Sequence, residues 1–485
     1  MSIDPGNVLT EPKTKPRSLA LVVLAAGKGK RLRSATPKVL HPICGKPALW
    51  HVLQAGMAAR PTKIIVVVGH GAEDVREAVR SWGITPRPVF VEQPKQLGTG
   101  DAVRVAQGAV GRVDDVLVMG GDFDPVKPED VRRLVTSHRR TNSAATIAST
   151  ELGDPAGYGR VVRDRSRLIE IVEDVDASPE IRALKEVSII LFAFRRRELF
   201  RALPRLDRKN RQREYYLNRV VPILLSDGDK VSVVTLDTGG VMGLNSRAGL
   251  AAVERVVRAR INAAHMANGV TLVDPGTTYI DVGVTIGADT VVRPMTFLEG
   301  ATTVGTGCDL GPATRLRDTR VGNDVAIIFS VAEGASVGDG SDVGPFARLR
   351  PGTALADGVH VGSYVEIKGS TVGTGSKVPH LSYVGDADIG AGVNIGAATV
   401  TVNYDGYRKH RTVIEDGARV GSDTMLVAPV RVGKGAVTGA GSVVTKDVPA
   451  GALAVERGEQ RNIAGYRSRK DAEHRDTPKK ARRRK

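Results

Sequence analysis

Three side chains in the second half of this chain have the types and spacing to hold an anion and to take a proton from an amine. Arg350 and Lys368 stand eighteen residues apart, and His380 follows twelve residues later. A histidine titrates near neutral pH and can take the proton of an attacking amine, while a pair of cations suits a phosphate. The first half offers different chemistry. Leu24-Ala25-Ala26-Gly27-Lys28-Gly29-Lys30-Arg31 is a glycine loop whose bare N–H groups can approach phosphate oxygens, and Arg31 and then Lys38 add charge. It lacks both the Gly-Lys-Ser/Thr of a P-loop and the third glycine of a dinucleotide fingerprint, so alone it is a weak signal. Gln93 precedes Leu97-Gly98-Thr99-Gly100, a flexible loop suited to gripping a base. Gly120-Gly121-Asp122 sets a carboxylate where it could hold Mg²⁺ across substrate phosphates, although a turn or helix cap explains a Gly-Asp pair equally well.

These residues need a scaffold, and the spacing of aliphatic residues names it. Ile286, Val292, Leu298, Val304, Leu310 and Leu316 recur every sixth position; so do Val337, Val343, Leu349, Leu355, Val361 and Ile367, and then Val372, Val378 and Val384. A period of six suits neither a helix nor a plain strand. It marks a parallel β-helix in which each hexad forms one flat side of a triangular coil. Slips of one residue after Leu316, Ile367 and Val384 predict corners or small bulges. Three hexads complete a turn, so Arg350 and Lys368 share a wall one coil apart, about 4.8 Å in strand spacing. Two stacked cations favour an anion between them. His380 falls on a neighbouring wall of the next coil.

In the first half, apolar runs at Leu19 to Leu24, Lys63 to Val68, Pro88 to Val91 and Val116 to Met119 alternate with helical stretches. That rhythm predicts a mostly parallel sheet with helices on both faces, binding ligands at the carboxyl ends of its strands. Leu250, Val253, Val257 and Ile261 form one stripe at helical spacing, which predicts a connecting helix.

Composition bounds the rest. A chain of 485 residues is too long for one core. Aromatic content of 4% with 55 glycines suits a solenoid whose interior has room for few rings. Cys44 and Cys308 are distant and without metal spacing, which points to a reducing cytosol. The apolar run at the start is too short for a signal or membrane segment. Of the net charge of +17, the segment 467–485 supplies ten Lys/Arg against three Asp/Glu. It reads as a disordered tail, either solubilising or attracting anionic partners, and no nucleic-acid module accompanies it.

Together, Leu24-Ala-Ala-Gly-x-Gly-x-Arg31, Pro37-Lys38, Leu97-Gly-Thr-Gly100, Gly-Asp122, Tyr158-Gly-Arg160 and Ile171-Val-Glu173 resemble the sugar-nucleotide pyrophosphorylases. Joined to a hexapeptide repeat, the chain is similar to the bifunctional N-acetylglucosamine-1-phosphate uridyltransferase / glucosamine-1-phosphate N-acetyltransferase family of bacterial cell-wall synthesis. The resemblance implies a Rossmann-like α/β nucleotidyltransferase domain joined by a helix to a left-handed parallel β-helix. The boundaries expected are 1–18 disordered, 19–247 uridyltransferase, 248–268 linker helix, 269–466 β-helix acetyltransferase and 467–485 basic tail. It further implies a UTP and UDP-N-acetylglucosamine site from Leu24, Ala25, Ala26, Gly27, Arg31, Lys38, Gln93, Gly98, Thr99, Gly120, Gly121, Asp122, Gly159, Glu173, Ser188 and Asn245, with Mg²⁺ on Asp122 and Asn245. At the β-helix, His380 would be the general base, Arg350, Lys368, Tyr383 and Asn394 would hold the sugar phosphate, and Ala397, Asn403, Tyr404, Ser422, Ala440 and Arg457 would line the acetyl-CoA groove. A cytoplasmic homotrimer, with no membrane or specific nucleic-acid partner, is implied.

Departures from the family pattern fall in the first half: Lys30, Asp101 in place of histidine, Asp124, Ser188 in place of asparagine, Ile190 in place of glycine, and Asn218-Arg219 in place of Thr-Asp. A decayed or altered nucleotidyl site, leaving an acetyltransferase alone, is the alternative they raise.

Overall fold

The structure is a computed structural model that describes residues 17–122, 126–240 and 243–475, apart from the side chain of Lys30. Two compact units form: one runs through Ala267 and includes Tyr279–Val284, and the other comprises Asn268–Thr278 and everything from Thr285.

The first unit is built on a mixed sheet of strands β1 Leu19–Ala25, β2 Lys63–Val68, β3 Val89–Glu92, β4 Asp115–Gly120, β5 Ala145–Glu151, β6 Arg160–Asp164, β7 Arg167–Val172, β8 Glu186–Arg195 and β9 Val231–Thr235. Its order is β9-β5-β8-β4-β1-β2-β3, with β6 beside β8 and β7 beside β6. β1 pairs in parallel with β2 and β4, whereas β8 runs antiparallel to β4 and β5. Both faces are covered, and that is why β1 and β2 read as unbroken apolar runs. Leu19, Leu21 and Val23 enter one core while Ala20 and Val22 enter the other. The helix Arg247–Ala267 belongs to this unit, with Val253 and Val257 as its buried stripe. Its inclusion sets the boundary of the unit later than a linker-helix reading would put it.

The second unit is a left-handed parallel β-helix of two- to four-residue strands in three parallel sheets. The hexad residues point inward: Val292, Leu298, Leu310, Leu316, Val361 and Ile367 are fully buried. Coil-to-coil register is eighteen residues at Val337↔Leu355 and seventeen at Val304↔Val321, Leu355↔Val372 and Ile367↔Val384, which is where the slips in the repeat act. A second inward column carries hydroxyls. Thr302, Thr353 and Ser376 are buried and donate to backbone oxygens of the next coil, Leu316, Ile367 and Gly390. Satisfied in this way, a buried hydroxyl ties coils together instead of costing desolvation.

One expectation needs correction. The segment from Arg467 was read as disordered, yet Tyr466–Arg475 is helical with no buried residue. Ion pairs at helical spacing, Arg467–Asp471 and Lys470–Glu473, support it where apolar burial does not. Residues 476–485, and the expected disordered start apart from Arg17 and Ser18, lie outside the described residues. Ser18 itself bonds the Asp114 carboxylate through its N–H and its hydroxyl, at 2.7 and 2.8 Å.

Candidate functional sites

In the first unit, two cavities meet at the carboxyl ends of the central strands. The larger, of about 300 Å³, is lined by Leu24, Ala26, Gly27, Lys38, Gln93, Gly98, Thr99, Gly120 and Asp122. The smaller, of about 190 Å³, is lined by Arg31, Asp122, Gly159, Glu173, Ser188, Asn218 and Asn245. Asp122 and Ile190 line both. Of the sixteen residues anticipated, Ala25 and Gly121 do not line either cavity. Ala25 is buried, and Gly121 packs on β1, donating its N–H to the Leu24 carbonyl at 2.9 Å. A Cβ at Gly121 would sit 2.7 Å from that oxygen, so this close approach requires glycine.

The junction is electrostatically organised. The Lys38 ammonium bonds both the Asp122 carboxylate and, at 2.8 Å, the Asn245 side-chain oxygen. Burial alone would raise the Asp122 pKa, but Lys38, and more remotely Arg31, hold it below the usual carboxylate range. Asp122 and Asn245 thus aim two oxygens at one cationic point. Hard oxygen donors around a single point fit Mg²⁺. Asp124 lies outside the described residues.

In the smaller cavity, burial, reinforced by the carboxylates of Asp176, Glu214 and Asp174, pushes Glu173 up to about 7. The Asn218 amide donates to Glu173, and Ser188, with its backbone N–H on the Gly159 carbonyl at 2.8 Å, lies in the same cavity. Asn218 was noted in the sequence only as a departure. An amide thus lines the cavity from position 218, thirty residues along the chain from Ser188. Asp101, read as a negative charge beside the nucleotide loop, is buried beneath that loop instead and paired with Arg104.

On the β-helix, Arg348↔Glu366 and Leu349↔Ile367 are in register, so Arg350 and Lys368 do stack on one wall. The anion between them is partly internal: Glu366 pairs with Arg350 at 2.8 Å. The pKa of Lys368 is lowered, first by Lys409 and also by Arg350, an excess of positive charge that a phosphate would relieve. Lys409 comes from the insertion between Val400–Val402 and Thr412–Ile414, where the register lengthens to twenty-five residues at Asp388↔Val413. Sequence reasoning missed Lys409 because the insertion breaks the hexad count that would have placed it. Asp405 shapes this loop by accepting from the N–H groups of Tyr407 and Arg408 and from His410. The Tyr404 hydroxyl is turned onto the Gly406 carbonyl.

His380 ends the strand Lys377–His380 on the adjoining wall, just before a corner at Leu381, and Tyr383 begins the next strand. Tyr383 lies along its wall over Gly385, the partner of Lys368 in the ladder; a Cβ at Gly385 would meet the Tyr383 hydroxyl at 2.5 Å and the Asn403 amide at 2.7 Å. Below His380 stands a column at successive coils. Ala398 donates to the His380 carbonyl, Asp423 to Ala397, Gly441 to Ser422, and the Arg457 guanidinium to Ala440. His380, Ala397, Ser422, Ala440 and Arg457 thus descend one edge of the solenoid over roughly 19 Å. Asn394 does not join this column: it pairs with Lys377 and Arg419, three residues upstream on the strand.

Among the described residues, no helix is long and apolar enough to cross a membrane. Both cysteines are buried and free.

The family model of the MobA-like NTP transferase domain matches residues 21–220. The protein named bifunctional protein GlmU from Syntrophomonas wolfei subsp. wolfei is 45% identical over 447 residues, covering 92% of this chain and 99% of that protein. Its namesake from Carboxydothermus hydrogenoformans is 47% identical over 447 residues, with 92% and 99% covered. That from Streptomyces avermitilis is 48% identical over 459 residues, with 94% and 95% covered.

Proposed function

The chain belongs to the family of bifunctional GlmU proteins, and from that premise we propose that its two sites divide the synthesis of UDP-N-acetylglucosamine between them. The β-helix N-acetylates glucosamine-1-phosphate from acetyl-CoA, and the first unit transfers uridylyl from UTP to the N-acetylglucosamine-1-phosphate formed. The observation that carries the second step is the meeting of two cavities at Asp122. One is glycine-lined and fits a nucleotide; the other is rimmed by Glu173, Asn218 and Asn245 and fits a sugar.

In the uridylyl step, Arg31 and Lys38 neutralise the triphosphate while the sugar phosphate attacks the α-phosphorus in line and pyrophosphate leaves. Bound between Asp122 and Asn245, Mg²⁺ would neutralise charge that builds on the phosphate oxygens. Glu173 and Asn218 orient the amino sugar, with the Asn218 amide taking the part of the asparagine absent at Ser188.

For acetylation, Arg350, Lys368 and Lys409 hold the phosphate, and Tyr383 sets the sugar ring. His380 accepts the amine proton as nitrogen attacks the thioester carbonyl, the C–S bond breaks, and the thiol leaves with a proton. The column from His380 to Arg457 matches an extended pantetheine arm, with Arg457 at the end suited to the phosphates of coenzyme A. Asn394, Asn403 and Tyr404 complete the site in a homotrimer, whose contacts would include an exposed ladder at one corner. Phe329, Phe346 and Tyr364 stack there with ring centroids 5.7 and 5.3 Å apart, and Tyr364 is 61% exposed. Such a ladder is apolar surface that a second copy would cover. The cytoplasm is the compartment we propose for it, in keeping with two free cysteines.

Two assays test the two halves separately. Acetyl-CoA with glucosamine-1-phosphate should release thiol, and His380→Ala should lower that rate at least about a hundredfold. UTP with N-acetylglucosamine-1-phosphate and Mg²⁺ should release pyrophosphate. Silence in this second assay at millimolar substrate, beside active acetylation, would leave an acetyltransferase alone.

A further inference from the structure

The larger cavity has a floor that decides which hydrogen-bonding edge a base must present. Gln93 is 4% exposed and Asp101 5%. The Gln93 side-chain nitrogen donates to the Gly98 carbonyl at 3.1 Å and to Asp101 Oδ2 at 2.9 Å. Both neighbours are acceptors that carry no hydrogen when the carboxylate is ionised. The terminal atom facing them must therefore be nitrogen, and the amide cannot be turned over without setting oxygen against two oxygens. Both N–H groups are spent on the protein. What remains for the cavity is Oε1, an acceptor, to which nothing among the described residues donates.

Asp101 is itself held from behind. Its other oxygen accepts from Arg104 one turn along the helix Thr99–Val105, and the Arg104 guanidinium lies over the Tyr215 ring, 5.0 Å from its centroid. Tyr215 in turn anchors the loop, since its carbonyl accepts from Gly100 at 2.8 Å and its N–H donates to Leu97 at 2.7 Å. A Cβ at Gly98 would lie 2.6 Å from that same carbonyl, so the loop cannot be shifted by adding a side chain there. Tyr215, Arg104, Asp101 and Gln93 form one continuous brace.

We infer that Asp101 is a positioning residue for base selection: by holding the Gln93 amide with its oxygen toward the cavity, it makes the site accept a nucleobase that offers an N–H at its pairing edge. This rests on the reading of the larger cavity as the nucleotide site. Uracil brings the N3–H imide to that edge and is accepted. Cytosine brings the N3 lone pair, which faces the Oε1 lone pairs and is repelled.

The experiment compares UTP with CTP as nucleotide donor, following pyrophosphate release by the full-length protein with N-acetylglucosamine-1-phosphate and Mg²⁺. Wild type should favour UTP in kcat/KM by at least about a hundredfold, the order expected when a buried polar group goes unpaired. Asp101→Asn can donate to Gln93 Oε1, which leaves only the Gly98 carbonyl opposing a turned amide, so its UTP-to-CTP ratio should fall at least about tenfold. Asp101→Ala frees one N–H and should lower the ratio by a smaller factor. General loosening of the fold would depress both nucleotides alike and leave the ratio unchanged. Acetylation at the β-helix and the unfolding temperature identify a variant that has failed to fold, in which case the other variant decides. A ratio unmoved in a folded variant, or a wild type that uses both nucleotides within about threefold, overturns the inference. No release from UTP by wild type overturns instead the nucleotide-site reading beneath it.

Discussion

Glu173 shows how a single residue reports its surroundings. Burial, with neighbouring carboxylates adding to it, raises its pKa from 4.5 to about 7. A raised carboxyl favours the folded state while protonated, so its contribution is full below pH 4.5 and is lost as pH rises through about 7. Glu173→Gln should therefore unfold at a higher temperature than wild type at pH 8, by the equivalent of about 1–3 kcal/mol, and show no such gain at pH 5. Equal offsets at both values would contradict the burial argument. The same variant should bind the sugar phosphate more weakly, seen as a raised KM. Lys38 makes the opposite case, a cation that keeps Asp122 ionised. Lys38→Met should cut pyrophosphate release by about two orders of magnitude while leaving acetylation untouched. Equal loss in both assays would mean that the lysine is structural.

At the scale of elements, each β-helix strand contributes few residues, and stability comes from stacking. Ile367 is fully buried between coils, so Ile367→Ala should cost about 2–4 kcal/mol, read as a lower denaturant midpoint. Gly385 tests positioning instead. Adding a methyl there would meet the Tyr383 ring and the Asn403 amide. Gly385→Ala should thus raise KM for glucosamine-1-phosphate at least about tenfold with little change in unfolding. An unchanged KM would remove Tyr383 from the proposed site. The hexad period placed Arg350 and Lys368 on one wall correctly because register in a solenoid follows from counting. Counting failed at the insertion holding Lys409, where seven extra residues separate the coils and a hydrogen-bonded turn around Asp405 sets the geometry.

For the molecule as a whole, the exposed ladder of Phe329, Phe346 and Tyr364 and the separation of Asn394 from the His380 column support a site shared between copies of the β-helix. Replacing Phe346 and Tyr364 together by Asp should convert the proposed trimer to smaller species in sedimentation velocity. Acetylation should fall with it while pyrophosphate release persists. A variant that remains trimeric would put the contact elsewhere.

By itself, the sequence determined the alternating α/β half, the solenoid, and fourteen of the residues that line the two cavities of the first unit. Strand alternation, glycine loops and the six-residue period are local rules that a linear chain displays directly. Tertiary structure decided what depends on partners distant in sequence. It turned Asp101 inward onto Gln93, set the Asn218 amide on Glu173 in the cavity that Ser188 lines, and packed Gly121 against the Leu24 carbonyl. It also made Tyr466–Arg475, which overlaps the start of a tail that composition alone read as disordered, helical. Hydrogen bonds and charge pairing act over a few ångströms in space, and only the folded chain fixes which residues lie that close.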